Sequence, residues 1–212
     1  MQLVGARQVV TCRGPARARR GRELAELEVL PDAAVLIEGD RIAWVGSRRE
    51  ARERYPGLEA VDLPGVLFPG FIDCHTHAIF GAPRIDDHER RALGESYQAI
   101  AAAGGGILQS VRDVRARPEH QLEQLARNRL LTLRAHGSTT IEVKSGYGLE
   151  LETELKQLRV VQRLARTERL SLIPTFLGAH EVPPEYRPRR EAYVRSVIED
   201  MLPAVAREGL AM

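Results

Sequence analysis

Cysteine is almost missing from this sequence of 212 residues, which has only Cys12 and Cys74. Two cysteines do not make a disulfide framework in a chain of this length, and such low usage is typical of a reducing compartment. Long apolar runs are missing too: none approaches the ~18 residues that a membrane-spanning helix needs. The N-terminal apolar stretch is interrupted by Arg7 and is too short for a signal-peptide core. These absences predict a soluble, cytoplasmic protein.

Aromatic residues are scarce, at 5% of the chain, which argues against a nucleic-acid platform built on base stacking. Neither positive nor negative charge is in clear excess, since 31 Lys and Arg residues are balanced by 29 Asp and Glu residues. The resulting net charge of +2 gives no reason to expect a polyanionic partner. Hydrophobic residues make up 43%, which is enough for a packed core. We therefore expect a folded protein without a nucleic-acid or membrane partner.

The first 65 residues resemble a small β domain of short strands and turns. Residues 33–38 and 41–46 are β-rich and flank Gly39-Asp40, which is the signal of a hairpin. The arginines between positions 13 and 22 are followed by glutamates at 23, 26 and 28. Because these carboxylates offset the positive charge, we interpret the stretch as a solvated loop rather than a nucleic-acid patch.

From Val66 onward the pattern changes to alternating strands and helices. The nearly continuous apolar run 66–74 predicts a strand that is buried on both faces. Further strands are predicted at 138–143 and 171–177, and helices at 97–103, 120–136, 151–166 and 191–207. Gly137 is expected to end the second helix. This alternation predicts an α/β protein with a parallel sheet and outer helices, either open or closed as a barrel.

Two histidines, His75 and His77, come at the end of the first of these strands. Side chains at i and i+2 of a strand point to the same face, so both imidazoles are aimed together. Neutral imidazole is a preferred ligand of zinc and of ferrous iron. The apolar strand, the Pro-Gly entry and Asp73 on the same face favour a metal site over two surface histidines. Cys74 should point the other way, into packing.

The segments that follow the strands supply three further candidates, since active sites of such folds gather at the carboxyl ends of strands. Arg84 can grip a carboxylate through two parallel hydrogen bonds. Tyr147 offers a phenolic donor or acceptor. His180 can donate to a polarised carbonyl or shuttle a proton. Each residue type alone is usually solvated or structural, and the shared location at strand ends is what selects these three.

Other polar clusters are weaker candidates. Gly104-Gly105-Gly106 follows a predicted helix and lacks the Gly-Lys-Ser/Thr ending of a phosphate loop, so we interpret it as a flexible loop. Asp86, Asp87 and His88 are interpreted as the start of a helix rather than as metal ligands. Lys144 ends a strand and would suit a carbamate that bridges two metals, but nothing else in the sequence demands a second metal.

Four sequence blocks carry a family resemblance. Residues 69–77, Pro-Gly-Phe-Ile-Asp-Cys-His-Thr-His, resemble the first barrel strand of the amidohydrolase superfamily. Three further blocks resemble, more narrowly, the imidazolonepropionase family of histidine degradation. They are Ala-Ala-Gly-Gly-Gly-Ile-Leu at 102–108, Glu-Val-Lys-Ser-Gly-Tyr-Gly-Leu-Glu at 142–150, and Thr-Phe-Leu-Gly-Ala-His at 175–180 with Pro-Pro-Glu-Tyr at 183–186. The resemblance runs from about Ala33 to the end of the chain.

The resemblance implies a (β/α) barrel, present here in part, and a small β-sandwich domain built from both chain ends. Residues 1–65 would belong to the sandwich and residues 66–212 to about three βα units. It further implies one divalent metal, zinc or iron, held partly by His75 and His77. Arg84, Tyr147 and His180 would bind 4-imidazolone-5-propanoate, with His180 also catalytic, and the ring amide would be hydrolysed to N-formimidoyl-L-glutamate. Barrels of this superfamily often pair, which implies a homodimer for the full-length protein.

The length departs from the family pattern. A complete barrel takes ~250 residues, more than this whole chain of 212. The family's third histidine ligand, its aspartate ligand and its general base lie on later strands. Three hypotheses follow: the chain is the N-terminal half of an active hydrolase, or a truncated product without catalysis, or part of a superfamily member that hydrolyses another cyclic amide or deaminates its substrate.

Overall fold

The structure is a computed structural model that describes residues 1–211. The chain divides into two compact units, Met1–Pro69 and Gly70–Met212. The first unit contains one four-stranded sheet, a short 3-10 helix at Gly21–Ala25 and one α-helix. Its elements are β1 (Gln2–Val10), β2 (Val29–Glu38), β3 (Arg41–Ser47), α1 (Arg48–Arg54) and β4 (Ala60–Leu67).

The sheet of the first unit has the strand order β3-β2-β1-β4, and only the β1–β4 pair is parallel. The predicted hairpin is confirmed: β2 and β3 pair antiparallel around Gly39, whose φ of +61° suits a residue without a Cβ. Apolar side chains from alternate positions pack on both faces of the sheet. Within residues 1–69 the described strands form this single sheet, and a second facing sheet is not present there.

Helix α1 was not predicted, although its start carries a sequence signal. Ser47 accepts a hydrogen bond from the Glu50 backbone N–H at 3.2 Å, and the Glu50 carboxylate accepts one from the Ser47 N–H at 3.0 Å. This reciprocal capping box satisfies donors that every helix N-terminus leaves unpaired. The arginine-rich stretch lies in exposed backbone, where Arg17 pairs with Glu23 through two hydrogen bonds of 2.8 Å. Its interpretation as a solvated loop is thus supported.

The second unit contains three parallel strands in the order β5-β6-β7, as the alternation predicted. The strands are β5 (Phe71–Thr76), β6 (Ser138–Lys144) and β7 (Ser171–Thr175). The helices are α2 (Ile85–Ala92), α3 (Tyr97–Ala102), α4 (Ile107–Ala116), α5 (Glu119–Ala135), α6 (Leu151–Thr167), α7 (Arg190–Ser196) and α8 (Leu202–Glu208), with 3-10 turns at Gly178–His180 and Pro184–Arg189.

The core of the second unit lies between β6 and the two long helices. Leu122, Ala126 and Leu130 of α5 and Val161 and Leu164 of α6 recur at helical spacing and are almost completely buried. They pack against Ile141 and Val143, which alternate on β6. Helix α5 ends at Ala135, and Gly137 follows with a φ of +95°, as predicted for its end. Tyr147, in the loop between β6 and α6, packs against the same core.

The prediction of one buried strand over residues 66–74 is wrong. Val66 and Leu67 belong to β4 and pair with β1, and β5 begins only at Phe71. Among the described strands β5 lies at the sheet edge, and Phe71 and Ile72 are 56% and 71% exposed. Cys74 is exposed as well, so its predicted packing is also wrong. The physical reason is that β5 has a neighbouring strand on one side only.

The last predicted helix, 191–207, is confirmed as a continuous helical run with an irregularity in its middle. Helix α7 passes through a π-helical turn, Val197–Met201, into α8. Pro203 lies in the first turn of α8, where a residue without an N–H is tolerated. Helix α4, in contrast, was not predicted, and β7 ends two residues earlier than the predicted strand, at Thr175. None of the described helices is long and apolar enough to cross a membrane.

Candidate functional site

Aromatic rings from the segments after three strands meet at the carboxyl ends of the parallel sheet. His77 directly follows β5, Tyr147 lies in the loop after β6, and His180 lies in the 3-10 turn after β7. The His77 and His180 rings are stacked, with centroids 4.7 Å apart and planes 8° apart. The Tyr147 centroid is 4.9 Å from that of His77 and 5.6 Å from that of His180. Three of the predicted site residues therefore form one ring cluster.

His75 borders this cluster, with its ring centroid 5.8 Å from that of His77 and the planes 62° apart. His75 is exposed, and its backbone N–H donates to the Asp73 carboxylate at 3.3 Å. The two imidazoles thus lie side by side, as their spacing predicted. Among residues 1–211, no group of three or more His, Cys, Asp or Glu side chains is arranged to hold a metal.

The environment of His77 keeps its imidazole neutral. Burial, followed by the charges of His180 and His75, lowers the pKa of His77 to about 4. Its Nδ1 atom is buried and has no hydrogen-bond partner among the described residues. A buried polar atom without a partner is rare in folded proteins and calls for a specific explanation. A neutral imidazole with a free ring nitrogen is the form that binds a metal ion.

His180 is fixed by the backbone of the neighbouring loop. Its Nδ1 lies 3.0 Å from the carbonyl oxygen of Gly146. Because a carbonyl only accepts, Nδ1 carries the hydrogen, and Nε2 is the ring nitrogen left for another partner. The turn that carries His180 is held in addition by Tyr193 of α7, whose phenol donates to the Gly178 carbonyl at 2.6 Å. These two contacts set the orientation of the ring.

Arg84 lies beside the ring cluster and makes none of its ring contacts. It is the residue that precedes α2, and its Nε is 3.8 Å from the Asp87 carboxylate. Burial raises the pKa of Tyr147, and the positive charge of Arg84 opposes this shift. Asp87 also accepts the Gly106 N–H at 2.8 Å. As predicted, the carboxylates near position 87 begin a helix.

The remaining candidates have structural partners. Gly104-Gly105-Gly106 joins α3 to α4 and does not follow a strand. The Lys144 amine lies 2.5 Å from the Glu142 carboxylate, which also accepts the Thr175 hydroxyl at 2.7 Å. Lys144 thus has a carboxylate partner, which accounts for its position without a carbamate.

The loop after β6 requires glycine on both sides of Tyr147. Gly146 has a φ of +103°, and a Cβ there would lie 2.8 Å from the Leu177 carbonyl oxygen. A Cβ at Gly148 would lie 2.6 Å from the backbone nitrogen of Glu154. The Gly-Tyr-Gly sequence therefore permits a tight path that places the Tyr147 ring against the histidines.

Sequence reasoning missed three side chains that hold the backbone around this site. Arg129 of α5 donates to the carbonyls of Ala78 and Phe80, and also to that of Gly81. Burial lowers its pKa to about 10. Glu154 and Gln157 of α6 are fully buried and face the loop after β6. The available signal was Glu154, a charged residue placed among the regularly spaced leucines of α6. Charged residues are normally exposed, so a Glu within this apolar pattern indicates a buried partner.

Comparison with known proteins identifies close relatives. Residues 33–57 match the family model described as imidazolonepropionase-like composite domain, bacteria. The imidazolonepropionases of Symbiobacterium thermophilum and Solibacter usitatus are 48% and 46% identical, each over 99% of this chain and 50% of the relative. That of Chloroflexus aggregans is 43% identical over 98% of this chain and 48% of the relative. The resemblance found in the motifs is confirmed, and the chain spans about half the length of the curated relatives it matches.

Solved structures show the fold. The guanine deaminase of E. coli superposes with a TM-score of 0.57 at 15% identity, over 83% of this chain and 37% of that enzyme. The guanine deaminase of Bradyrhizobium japonicum has a TM-score of 0.57 at 17% identity, over 92% of this chain and 41% of that enzyme. The predicted α/β class is confirmed, the fold is shared with these guanine deaminases, and the described residues contain three parallel strands rather than a closed barrel.

Proposed function

We propose that this chain, similar over nearly its whole length to bacterial imidazolonepropionases, forms part of a metal-dependent hydrolase of the same specificity. The complete protein would hydrolyse the ring amide of 4-imidazolone-5-propanoate to N-formimidoyl-L-glutamate. The single observation that carries the proposal is the ring cluster at the strand ends, in which His77 stacks on His180 at 4.7 Å. It supplies a neutral imidazole and a proton-exchanging imidazole within one site.

A divalent metal, zinc or iron, would be held partly by His75 and His77. The buried Nδ1 of His77 has no partner in the described part of the chain, and its low pKa keeps the ring neutral. Both features fit a metal ligand. When bound, such an ion lowers the pKa of a coordinated water toward neutrality and so supplies a hydroxide nucleophile. Two imidazoles do not complete a site, and the complete protein would provide the other ligands.

The remaining residues would bind and orient the substrate. Arg84, at the edge of the cluster, would pair with the propanoate carboxylate through two hydrogen bonds and so fix the ring in place. Burial raises the pKa of Tyr147 and so favours its protonated phenol, which can donate to the substrate ring. His180 holds its Nδ1 hydrogen on Gly146, so its Nε2 is the atom that, once protonated, would donate to the reacting carbonyl.

The architecture of the complete protein is part of the proposal. Residues 1–69 would contribute to a small β-sandwich domain, and residues 70–212 would provide the first three or so βα units of a closed barrel. The sheet β5-β6-β7 supports this, since both of its outer strands have a side without a described neighbour. A cytoplasmic homodimer is proposed on the family resemblance alone.

The direct test is turnover by the complete gene product. The purified protein, loaded with zinc or with iron, should consume 4-imidazolone-5-propanoate and release N-formimidoyl-L-glutamate, which chromatography separates. Guanine is the matched counter-substrate, because the fold is shared with guanine deaminases. Turnover of guanine alone would replace the proposal with the deaminase alternative, and turnover of neither by metal-loaded protein would contradict both.

A further inference from the structure

Two polar side chains on α6 are buried without any exposed surface. Glu154 and Gln157 each have 0% of their surface exposed. Being three residues apart on a helix, they share one face, and that face is turned toward the loop after β6. A carboxylate removed from water is costly unless several hydrogen bonds replace its hydration. The partners of both side chains therefore explain why they are there.

Glu154 gathers three backbone donors from a single loop. One carboxylate oxygen accepts the N–H groups of Gly148 and Leu149, each at 2.8 Å. The other oxygen accepts the Gly146 N–H at 3.0 Å. These contacts hold a path that is otherwise unfavourable at Leu149, a residue with a Cβ and a φ of +53°.

Among the N–H groups of residues 146–149, Gln157 binds the one that Glu154 does not bind. Its Oε1 accepts the Tyr147 N–H at 3.2 Å, and its Nε2 donates to the Ile79 carbonyl at 2.9 Å. Two side chains of α6 thus bind the N–H groups of four successive residues, 146–149. The same amide of Gln157 links this loop to the segment that follows His77.

This anchoring determines how the ring cluster is arranged. The Gly146 carbonyl lies in the same peptide plane as the Tyr147 N–H, so the bond of that N–H to Gln157 also turns the carbonyl toward Nδ1 of His180. With its N–H bound to Gln157, Tyr147 presents its ring to His77 at 4.9 Å. Neither α6 side chain belongs to the ring cluster itself. Their influence on the site therefore passes through backbone atoms.

We propose that Glu154 and Gln157 are positioning residues of the candidate active site. They fix the backbone of residues 146–149, and through it the tautomer of His180 and the placement of Tyr147. The kinetic consequence rests on the proposed hydrolase function, whereas the anchoring of the loop does not. Amide hydrogen exchange tests the anchoring of the loop, and steady-state kinetics tests its consequence for catalysis.

The variants are Glu154→Gln and Gln157→Met in the complete gene product. E154Q leaves one acceptor oxygen for three N–H donors, and Q157M keeps the volume but removes both hydrogen bonds. The same helix offers matched controls. E152Q removes an exposed charge from the same first turn, and Q162M removes a hydrogen bond to the Gly209 carbonyl, which lies away from the ring cluster.

The first measurement is amide hydrogen exchange without substrate. We expect E154Q to lose protection at 146, 148 and 149, and Q157M at 147, by roughly tenfold or more, with strand β6 unchanged. Neither control should alter exchange in this loop. Unchanged protection in both positioning variants would overturn the proposal, whatever the substrate of the enzyme is. Q157M changes no charge and carries the test if thermal melting shows that E154Q does not fold.

The second measurement is steady-state kinetics at equal metal content. Loss of a residue that orients catalytic groups typically costs roughly 10- to 100-fold in activity, and we expect this loss mainly in kcat for E154Q and Q157M. Wild-type kcat in either variant, with its loop amides deprotected, would contradict the positioning role. If the wild type itself does not turn over the imidazolone, the proposed function fails, and the exchange data still decide whether the loop is anchored from α6.

Discussion

Two polar loops of this chain differ in how their polar groups find hydrogen-bond partners. The arginine-rich loop of the first unit is exposed, and its side chains pair with one another, as Arg17 does with Glu23 at 2.8 Å. The loop at 145–149 is largely buried, and side chains from the first two turns of helix α6 bind its backbone N–H groups. In the first case water competes for every contact, and in the second a missing contact leaves a buried donor unpaired.

The energetic difference follows from this contrast. Exposed ion pairs contribute about 0–1 kcal/mol, because solvent screens them and side-chain entropy opposes them. An unsatisfied buried polar group costs about 1–3 kcal/mol. The path of the buried loop is therefore far more strongly determined than that of the exposed one. Changes in the two loops should differ accordingly.

The largest expected effect is that of Gly146→Ala. An alanine there meets a positive φ, which costs about 1–2 kcal/mol, and its Cβ would lie 2.8 Å from the Leu177 carbonyl. Relieving that overlap should cost about 1–3 kcal/mol more. Gly57→Ala is the matched control, since Gly57 has a similar φ of +98° with nothing within 4 Å of the added Cβ. Urea unfolding should show a clearly greater loss of unfolding free energy for G146A, and equal losses would refute the crowded path described for this loop.

Arg84→Ala tests a residue of intermediate exposure. If the guanidinium grips the propanoate, its loss removes charge-assisted hydrogen bonds worth about 1.5–3 kcal/mol, so KM should rise by roughly 10- to 100-fold while kcat changes less. Arg91→Ala, an exposed arginine on the same helix, is the control and should leave KM unchanged. An unchanged KM in R84A would remove Arg84 from the substrate site.

The smallest effect on stability is expected for Arg17→Ala in the exposed loop. The hydrogen bonds from Arg17 lower the pKa of Glu23 to about 2, so R17A should raise it toward the ordinary value of 4.5 without moving the unfolding midpoint at neutral pH. Because the folded-state pKa is lowered, any stabilisation by this pair exists above the ordinary pKa and is lost as the pH falls toward 2. NMR titration of the Glu23 carboxyl measures the shift. A large drop in the unfolding midpoint of R17A would show that an exposed loop can contribute as much to stability as the buried one.

Glu154 should titrate in the opposite direction in the same NMR experiment. Burial raises its pKa, although the hydrogen bonds from the loop oppose the shift. Its folded-state pKa then lies above that of the unfolded chain, so its ionisation lowers stability as the pH rises between these two values. The two glutamates thus report the two environments through shifts of opposite sign.

Much of the fold was predictable because its signals are local. The hairpin around Gly39, the helix that ends before Gly137 and the strand Ser138–Lys144 all follow from turn residues and hydrophobic spacing within a few positions. The grouping of His77, Tyr147 and His180 followed from one rule, that parallel strands bring their carboxyl ends to one edge. The ring distances are consistent with that rule, although their roles in binding and catalysis stay predictions.

The sequence by itself thus determined an α/β chain, candidate site residues at the strand ends and a resemblance to imidazolonepropionases. Only the tertiary structure decided where β5 begins, that Cys74 is exposed, and that Glu154 and Gln157 serve a loop rather than the solvent. The physical reason is that these outcomes depend on three-dimensional neighbours: an apolar run does not state how many neighbours its strand has. Likewise, a glutamate within the apolar pattern of a helix does not state which backbone donors will surround it.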